Sequence, residues 1–245
     1  MKKALLLGIL AIGAISFSSC TKEDPGKDSV QIAKEALEKT KESPSLDTLS
    51  IAKIDSLWLD DIIPLGTSKP TFKQIVAAIS GHRPLFFGNY QVLRYLSDEQ
   101  GYDGSKDGFT IEDKSDNEYL RFTNLAPGKE EKDLEEGTCS STYRTWHHDN
   151  GGKFYGVLYE RKGDYLVIFY DFDPAKQQLI ANYNTTQLVN KDLNRAKRDE
   201  FSKVVFPASG SNIEFVKLED KVEKAICDRW DGSAFKYSAI PYTKQ

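Results

Sequence analysis

Three cysteines and three histidines are all that 245 residues offer for thiol or soft-metal chemistry, and no cysteine pair stands at zinc-ligand spacing. The chain has no H-E-x-x-H, no G-x-S-x-G, no P-loop and no G-x-G-x-x-G. Zincin, α/β-hydrolase and nucleotide-binding readings therefore have no motif to rest on. An excess of basic charge is missing too: the formal net charge is −4. That sets nucleic-acid binding aside, because its affinity rests on Lys and Arg neutralising phosphates. No internal repeat is visible. Beyond the first twenty residues no apolar run is long enough to span a bilayer, which takes about 20 residues.

What is present begins at the N-terminus. Lys2 and Lys3 precede an uncharged stretch from Ala4 to Phe17, and Ser18, Ser19 and Cys20 follow. This is a charged n-region, an apolar h-region too short to cross a membrane as a helix, and small residues at a cleavage site. The segment resembles the lipobox of bacterial lipoproteins, in the looser form found among the Bacteroidetes. The resemblance implies removal of residues 1–19, acylation of Cys20, and an anchor of two or three chains that does not come off. Residues 20–45 are then the lipidated cysteine, the polar tether TKEDPGKDS and a short helix, and residues 46–245 one α+β domain. Thr21 resembles the residue found in lipoproteins sent to the outer membrane. Lys22, Glu23 and Asp24 resemble a Bacteroidetes surface-export signal, so the periplasmic face and the cell surface both stay open. Losing Lys2 and Lys3 takes the charge from −4 to −6.

With Cys20 committed to lipid, Cys139 and Cys227 are left as a pair in an oxidising compartment, and a disulfide between them is expected. It would close a loop of about 88 residues, for which chain entropy alone gives about 4–5 kcal/mol.

Helical spacing of Val30, Ile32, Ala33, Ala36 and Leu37 predicts an amphipathic helix over 28–41. Thr71 and Gln74 form a capping box for a second helix over 72–80, with Gly81 after it. The pattern from Leu46 to Ile63 favours neither helix nor strand. From about Asn117 onward, short aromatic and β-branched runs alternate with turn chemistry. Strands are predicted over 118–123, 142–147, 153–160, 165–172, 179–183, 213–218, 223–230 and 234–237. Links as short as DNGG and RKGD make their neighbours antiparallel. Residues 190–202 read as a loop or surface helix. In the hairpin over 153–172 both faces are apolar, so each must be covered, by helices on one side and a second sheet layer or a ligand groove on the other. The expected fold is α+β, mostly antiparallel sheet in the C-terminal half with N-terminal helices packed on it.

The candidate sites are few. Asp103, Ser105 and Asp107, with Gly108 next, make the first half of an EF-hand-like calcium loop, but the twelfth position is Lys114 where a bidentate glutamate belongs. A solvated turn is the simpler reading, with Glu112 or Asp113 as stand-in ligands if calcium does bind; no other cofactor is implied. On one strand His147 and His148 point to opposite faces, so only His147 and Asp149 converge, and His82 is the remaining histidine. Ser209-Gly210-Ser211 reads as a turn. Trp58, Trp146 and Trp230 with the twelve tyrosines suit a sugar-stacking platform or, more simply, core packing. Tyr155 and Tyr159 share one face of the apolar hairpin and offer rings with hydroxyls to a partner.

Together these features point to a membrane-anchored, non-catalytic binding or scaffolding module for a protein or glycan. The alternative is an extracytoplasmic hydrolase using two carboxylates about 5–10 Å apart, as glycosidases do.

Overall fold

The computed structural model describes residues 26–40, 61–83, 88–97, 101–105, 108–124, 139–161 and 163–243. Cys20, Trp58, Asp107 and residues 21–25 of the tether lie outside them. A seven-stranded antiparallel sheet carries helices on one face and a four-stranded antiparallel sheet with one helix on the other. The fold is α+β.

Three helices cover the first face: α1 (Ser29–Thr40), α2 (Phe72–His82) and α3 (Asn89–Leu96). The expected capping box opens α2. Gln74 N donates to Thr71 Oγ1 at 3.3 Å while Thr71 N donates to Gln74 Oε1 at 2.7 Å, which satisfies two helix-end donors at once. Gln74 also ties down the segment before α1, its Nε2 donating to Lys27 O at 2.7 Å. Ile75, Val76, Ile79, Val92 and Leu93 join the helix-side core on the sheet, and Ala33 and Ala36 pack α1 onto α2 and α3.

The large sheet runs β1-β7-β6-β5-β4-β3-β2. Its strands are β1 (Ile62–Pro64), β2 (Phe109–Lys114), β3 (Tyr119–Asn124), β4 (Cys139–His147), β5 (Lys153–Arg161), β6 (Asp164–Asp173) and β7 (Gln178–Ala181). Next comes α4 (Tyr183–Arg198), then the small sheet of β8 (Lys203–Val205), β9 (Ile213–Glu219), β10 (Val222–Trp230) and β11 (Phe235–Thr243). Asn182 caps α4 by accepting from Thr185 N at 2.9 Å, and Arg195, Lys197 and Arg198 in its last turn favour the helix C-terminus. Strand character ends at Ala181, before the predicted Tyr183, because the cap turns the chain into this helix. Its apolar stripe is only Val189, Leu193 and Ala196, narrow enough to be masked by the polar residues around it.

Both faces of β5 and β6 are buried, as the alternation requires. Tyr155, Val157, Leu166 and Ile168 face the helices; Phe154, Leu158, Val167 and Phe169 face the small sheet. The cover on the second face is therefore a sheet layer rather than a ligand groove. Gly156 marks the tightest contact between the layers. A Cβ there would lie 2.6 Å from Trp146 Cζ3 and 2.7 Å from Phe169 Cε1. Glycine is required at this position because the indole crosses the backbone where a side chain would stand.

The expected disulfide is not formed. Cys139 opens β4 and packs against the helix-side core, whereas Cys227 is buried on β10 of the other sheet. Ile226 faces the layer between the sheets, so Cys227 next to it points to the opposite side. The inter-sheet core separates the two sulfurs, and a bridge cannot reach across it.

Two measurements test this packing. Gly156→Ala is expected to destabilise the fold by about 1–3 kcal/mol through overpacking against Trp146 and Phe169, read by denaturant titration. A thiol titration of denatured, unreduced mature protein should find two thiols, from Cys139 and Cys227.

Candidate functional site

The second face of the large sheet is divided. Its apolar half is centred on Trp146, ringed by Phe154, Phe169, Phe206 and Phe235 at centroid distances of 5.6, 5.5, 5.0 and 5.7 Å. The indole Nε1 donates to Ser211 O at 2.8 Å. This places the Ser209–Ser211 turn against the sheet and gives it a structural role. The polar half follows from strand register. Tyr119 pairs with Arg144, Arg121 with Thr142 and Thr123 with Ser140, while Lys114 and Glu112 on β2 continue the rows. None of these polar residues belongs to the apolar core between the sheets, although Tyr119, Thr123, Ser140, Thr142 and Arg144 are all buried.

Arg144 is the anomaly of this strip. It is only 8% exposed, its guanidinium lies 5.5 Å from the Trp146 ring, and its Nη1 is buried without a hydrogen-bond partner. Burial pulls its pKa below the ordinary arginine value. The neighbouring charges are already engaged. Lys114 Nζ pairs with Glu112 Oε1 at 2.5 Å, and Tyr119 Oη donates to Glu112 Oε2 at 3.4 Å. Glu160 accepts from Ser140 Oγ at 3.0 Å and from Tyr165 Oη at 3.1 Å. Burial, reinforced by Glu112, pushes the Tyr119 phenol up to about 12, so it stays a neutral donor. Among the described residues the strip thus holds a desolvated cation with no anion to balance it, an arrangement that costs several kcal/mol.

A second set of orphaned groups lies under α4. Asp228 on β10 is 0% exposed and neither of its carboxylate oxygens has a partner. Burial, with Asp192 of α4 nearby, pushes its pKa up to about 8. Burial also raises Asp192, against the pull of Arg195 and Lys191. Tyr237 Oη is buried and unpartnered, and the Arg195 guanidinium stands 4.3 Å from the Tyr237 ring centre. A depression of about 960 Å³ along α4 includes Asp192 and Arg195 in its wall but not Asp228. Asp228 is therefore closed off inside the packing, while Asp192 also borders the depression. A carboxyl that keeps its proton suits that setting better than attack on a substrate.

The histidines are accounted for locally. His147 Nε2 lies 2.9 Å from Glu118 Oε2, and Lys153 Nζ lies 2.6 Å from Glu118 Oε1. His148 packs between Phe154 and Trp230, at 5.0 and 5.3 Å, and Asp149 meets the β10–β11 turn, with its N donating to Gly232 O. His82 Nε2 and Arg83 Nη2 both contact Asp61 Oδ1, at 3.2 and 2.9 Å. Among the described residues no group of three or more His, Cys, Asp or Glu is placed to hold a metal ion. In the calcium-like loop, Asp103 Oδ1 accepts from Ser105 N and Oγ at 3.0 and 2.7 Å, closing an Asx-type turn. Glu112 and Asp113, the stand-in ligands, sit on β2 and are engaged elsewhere. Burial pushes Asp113 up, but bonds from Lys73, Ser115 and Tyr95 outweigh it and hold the carboxyl at about 2.

The tyrosines expected to face a partner are core. Tyr155 is 4% and Tyr159 0% exposed, both beneath the helices. Tyr159 Oη accepts from Asn89 Nδ2 at 3.2 Å, Asn89 Oδ1 accepts from Tyr143 Oη at 2.8 Å, and Ser80 Oγ lies 3.0 Å from that phenol. Their hydroxyls serve a buried network tying α2 and α3 to the sheet. Trp146 is likewise interior, and only Trp230 of the described tryptophans keeps a partly open ring. Arg144 was missed because a lone arginine two residues before a tryptophan on one strand face reads as a solvated neighbour of the core.

No family model, no curated protein and no solved structure matches this chain.

Asp228 generates a test. Its unfolded carboxyl loses the proton near pH 4 while the folded one keeps it to about 8. The folded state then binds the extra proton, and stability falls as pH rises across that window, by up to about 1.4 kcal/mol per pH unit. Asp228→Asn is expected to flatten this slope, melting above wild type at pH 8 and converging with it near pH 4. An unchanged slope in the melting profiles would refute the assignment.

Proposed function

We propose that the mature chain is a membrane-anchored extracytoplasmic lipoprotein acting as a non-catalytic binding or scaffolding module, held by acyl chains on Cys20. The polar strip around Arg144 is its contact site for a protein or glycan partner. The observation that carries the reading is Arg144 itself: a desolvated cation left without a counter-charge among the described residues, on a sheet whose helix face and apolar half are closed by the protein's own layers. A folded chain keeps such a group when a partner supplies the missing charge. The polar tether fits the same role, since it lets an anchored module reach away from the membrane. The outer membrane is the proposed location, on its periplasmic face or at the cell surface.

The test has two parts. Cys20→Ser should move the protein from the membrane fraction to the soluble fraction and abolish palmitate labelling. Purified mature protein should retain one defined envelope component, glycan or protein, and Arg144→Gln should lose it while melting as a folded protein. Turnover of a glycan or peptide library, abolished by a single Asp or Glu substitution, would instead establish the hydrolase.

A further inference from the structure

We propose that the Arg144 strip is a receptor for a singly charged carboxylate group, with the Arg144 guanidinium as its direct partner. This deepens the binding reading above and rests on it.

Charge balance argues for a monoanion. The strip contains three cations, Lys114, Arg121 and Arg144, and two carboxylates, Glu112 and Glu160. Glu112 is paired with Lys114 and Glu160 is held by two hydroxyls, and among the described residues no carboxylate pairs with Arg144, whose single positive charge is left unmatched. A carboxylate cancels it. A phosphate dianion would overshoot by one and add repulsion from Glu112 and Glu160.

Geometry argues the same way. The Arg144 guanidinium lies over the Trp146 ring, which takes up one of its faces and leaves the edge, a planar fork of N–H donors that matches the two oxygens of a carboxylate, for an entering group. Nη1 is buried, so the pairing group must enter the strip rather than rest on it. A flat carboxylate is easier to admit than a tetrahedral phosphate or sulfate. Tyr119, the direct cross-strand neighbour of Arg144, brings a phenol to the same place.

Arg144 and Asp228 also differ in what they can do alone. Asp228 can take up a proton and become neutral, whereas a guanidinium cannot lose one under physiological conditions. Arg144 has no such remedy, and no described residue supplies its counter-charge.

The experiment is isothermal titration and thermal melting of the full mature chain carrying Cys20→Ser, at constant ionic strength. Its probes are sodium acetate, sodium glucuronate, inorganic phosphate and uncharged glucose. Acetate and glucuronate should bind and raise the melting temperature. Glucose should do neither, and phosphate should bind more weakly than either carboxylate. Arg144→Gln should weaken glucuronate binding by more than about tenfold. Arg144→Lys, which keeps the charge and loses the fork, should fall in between, and it serves as the reporter if the glutamine variant does not fold. No binding of either carboxylate by wild type, equal binding by wild type and variant, or tighter binding of phosphate would each overturn the proposal. If the envelope partner is still lost in Arg144→Gln while neither carboxylate binds, the carboxylate assignment fails and the binding reading stands.

Discussion

Everything in this molecule depends on the burial of both faces of the β5–β6 hairpin. Rows such as Tyr155–Tyr170 on one side and Gly156–Phe169 on the other leave no face to water, and the hydrophobic gain is realised only when two separate layers close over them. The helices supply one layer through small residues, with Ala33, Ala36, Ala77 and Ala78 letting α1 and α2 come close. The small sheet supplies the other through aromatic rings. Its closest approach is set by Gly156, over which Trp146 and Phe169 fit. Sheet, helices and second sheet are thus consequences of one two-sided hairpin.

Covering the hairpin leaves the rest of the sheet with a different problem. The small sheet reaches across β6, β5 and the Trp146 end of β4, and past that line the same face turns polar. On the helix side Ser80, Tyr143, Asn89 and Tyr159 are linked in a chain, although Tyr170 Oη, Ser141 Oγ and Thr145 Oγ1 stay outside it. Satisfied networks of this kind lock one arrangement of helices on the sheet. Beyond the apolar cover, Arg144 has no such chain, and under α4 neither has Asp228. These two departures from pairing sit at the two margins of the inter-sheet core, where the apolar packing gives out.

Much of the framework was legible beforehand, and for identifiable reasons. The capping box at Thr71 and Gln74 is a local device whose partners are three residues apart, so its geometry is written in adjacent sequence. The strands declared themselves because alternation has a fixed period and the links between them are short. The narrow stripe of α4 and the isolated β2 were less visible. Val189, Leu193 and Ala196 are spread through a polar segment, and β2 lies where turn-like residues suggested a cation loop.

The sequence by itself therefore determined the class of the fold, the position of most strands, the start of α2 and the demand that the β5–β6 hairpin be covered twice. Periodicity states which residues share a face, and that is a property of the local backbone. What lies on that face is a property of elements far away in the chain. Only the tertiary structure decided that Tyr155 and Tyr159 meet helices instead of a partner, and that Cys139 and Cys227 point away from each other. It alone decided that Trp146 falls inside the inter-sheet core while Arg144, on the same strand face, falls just beyond it.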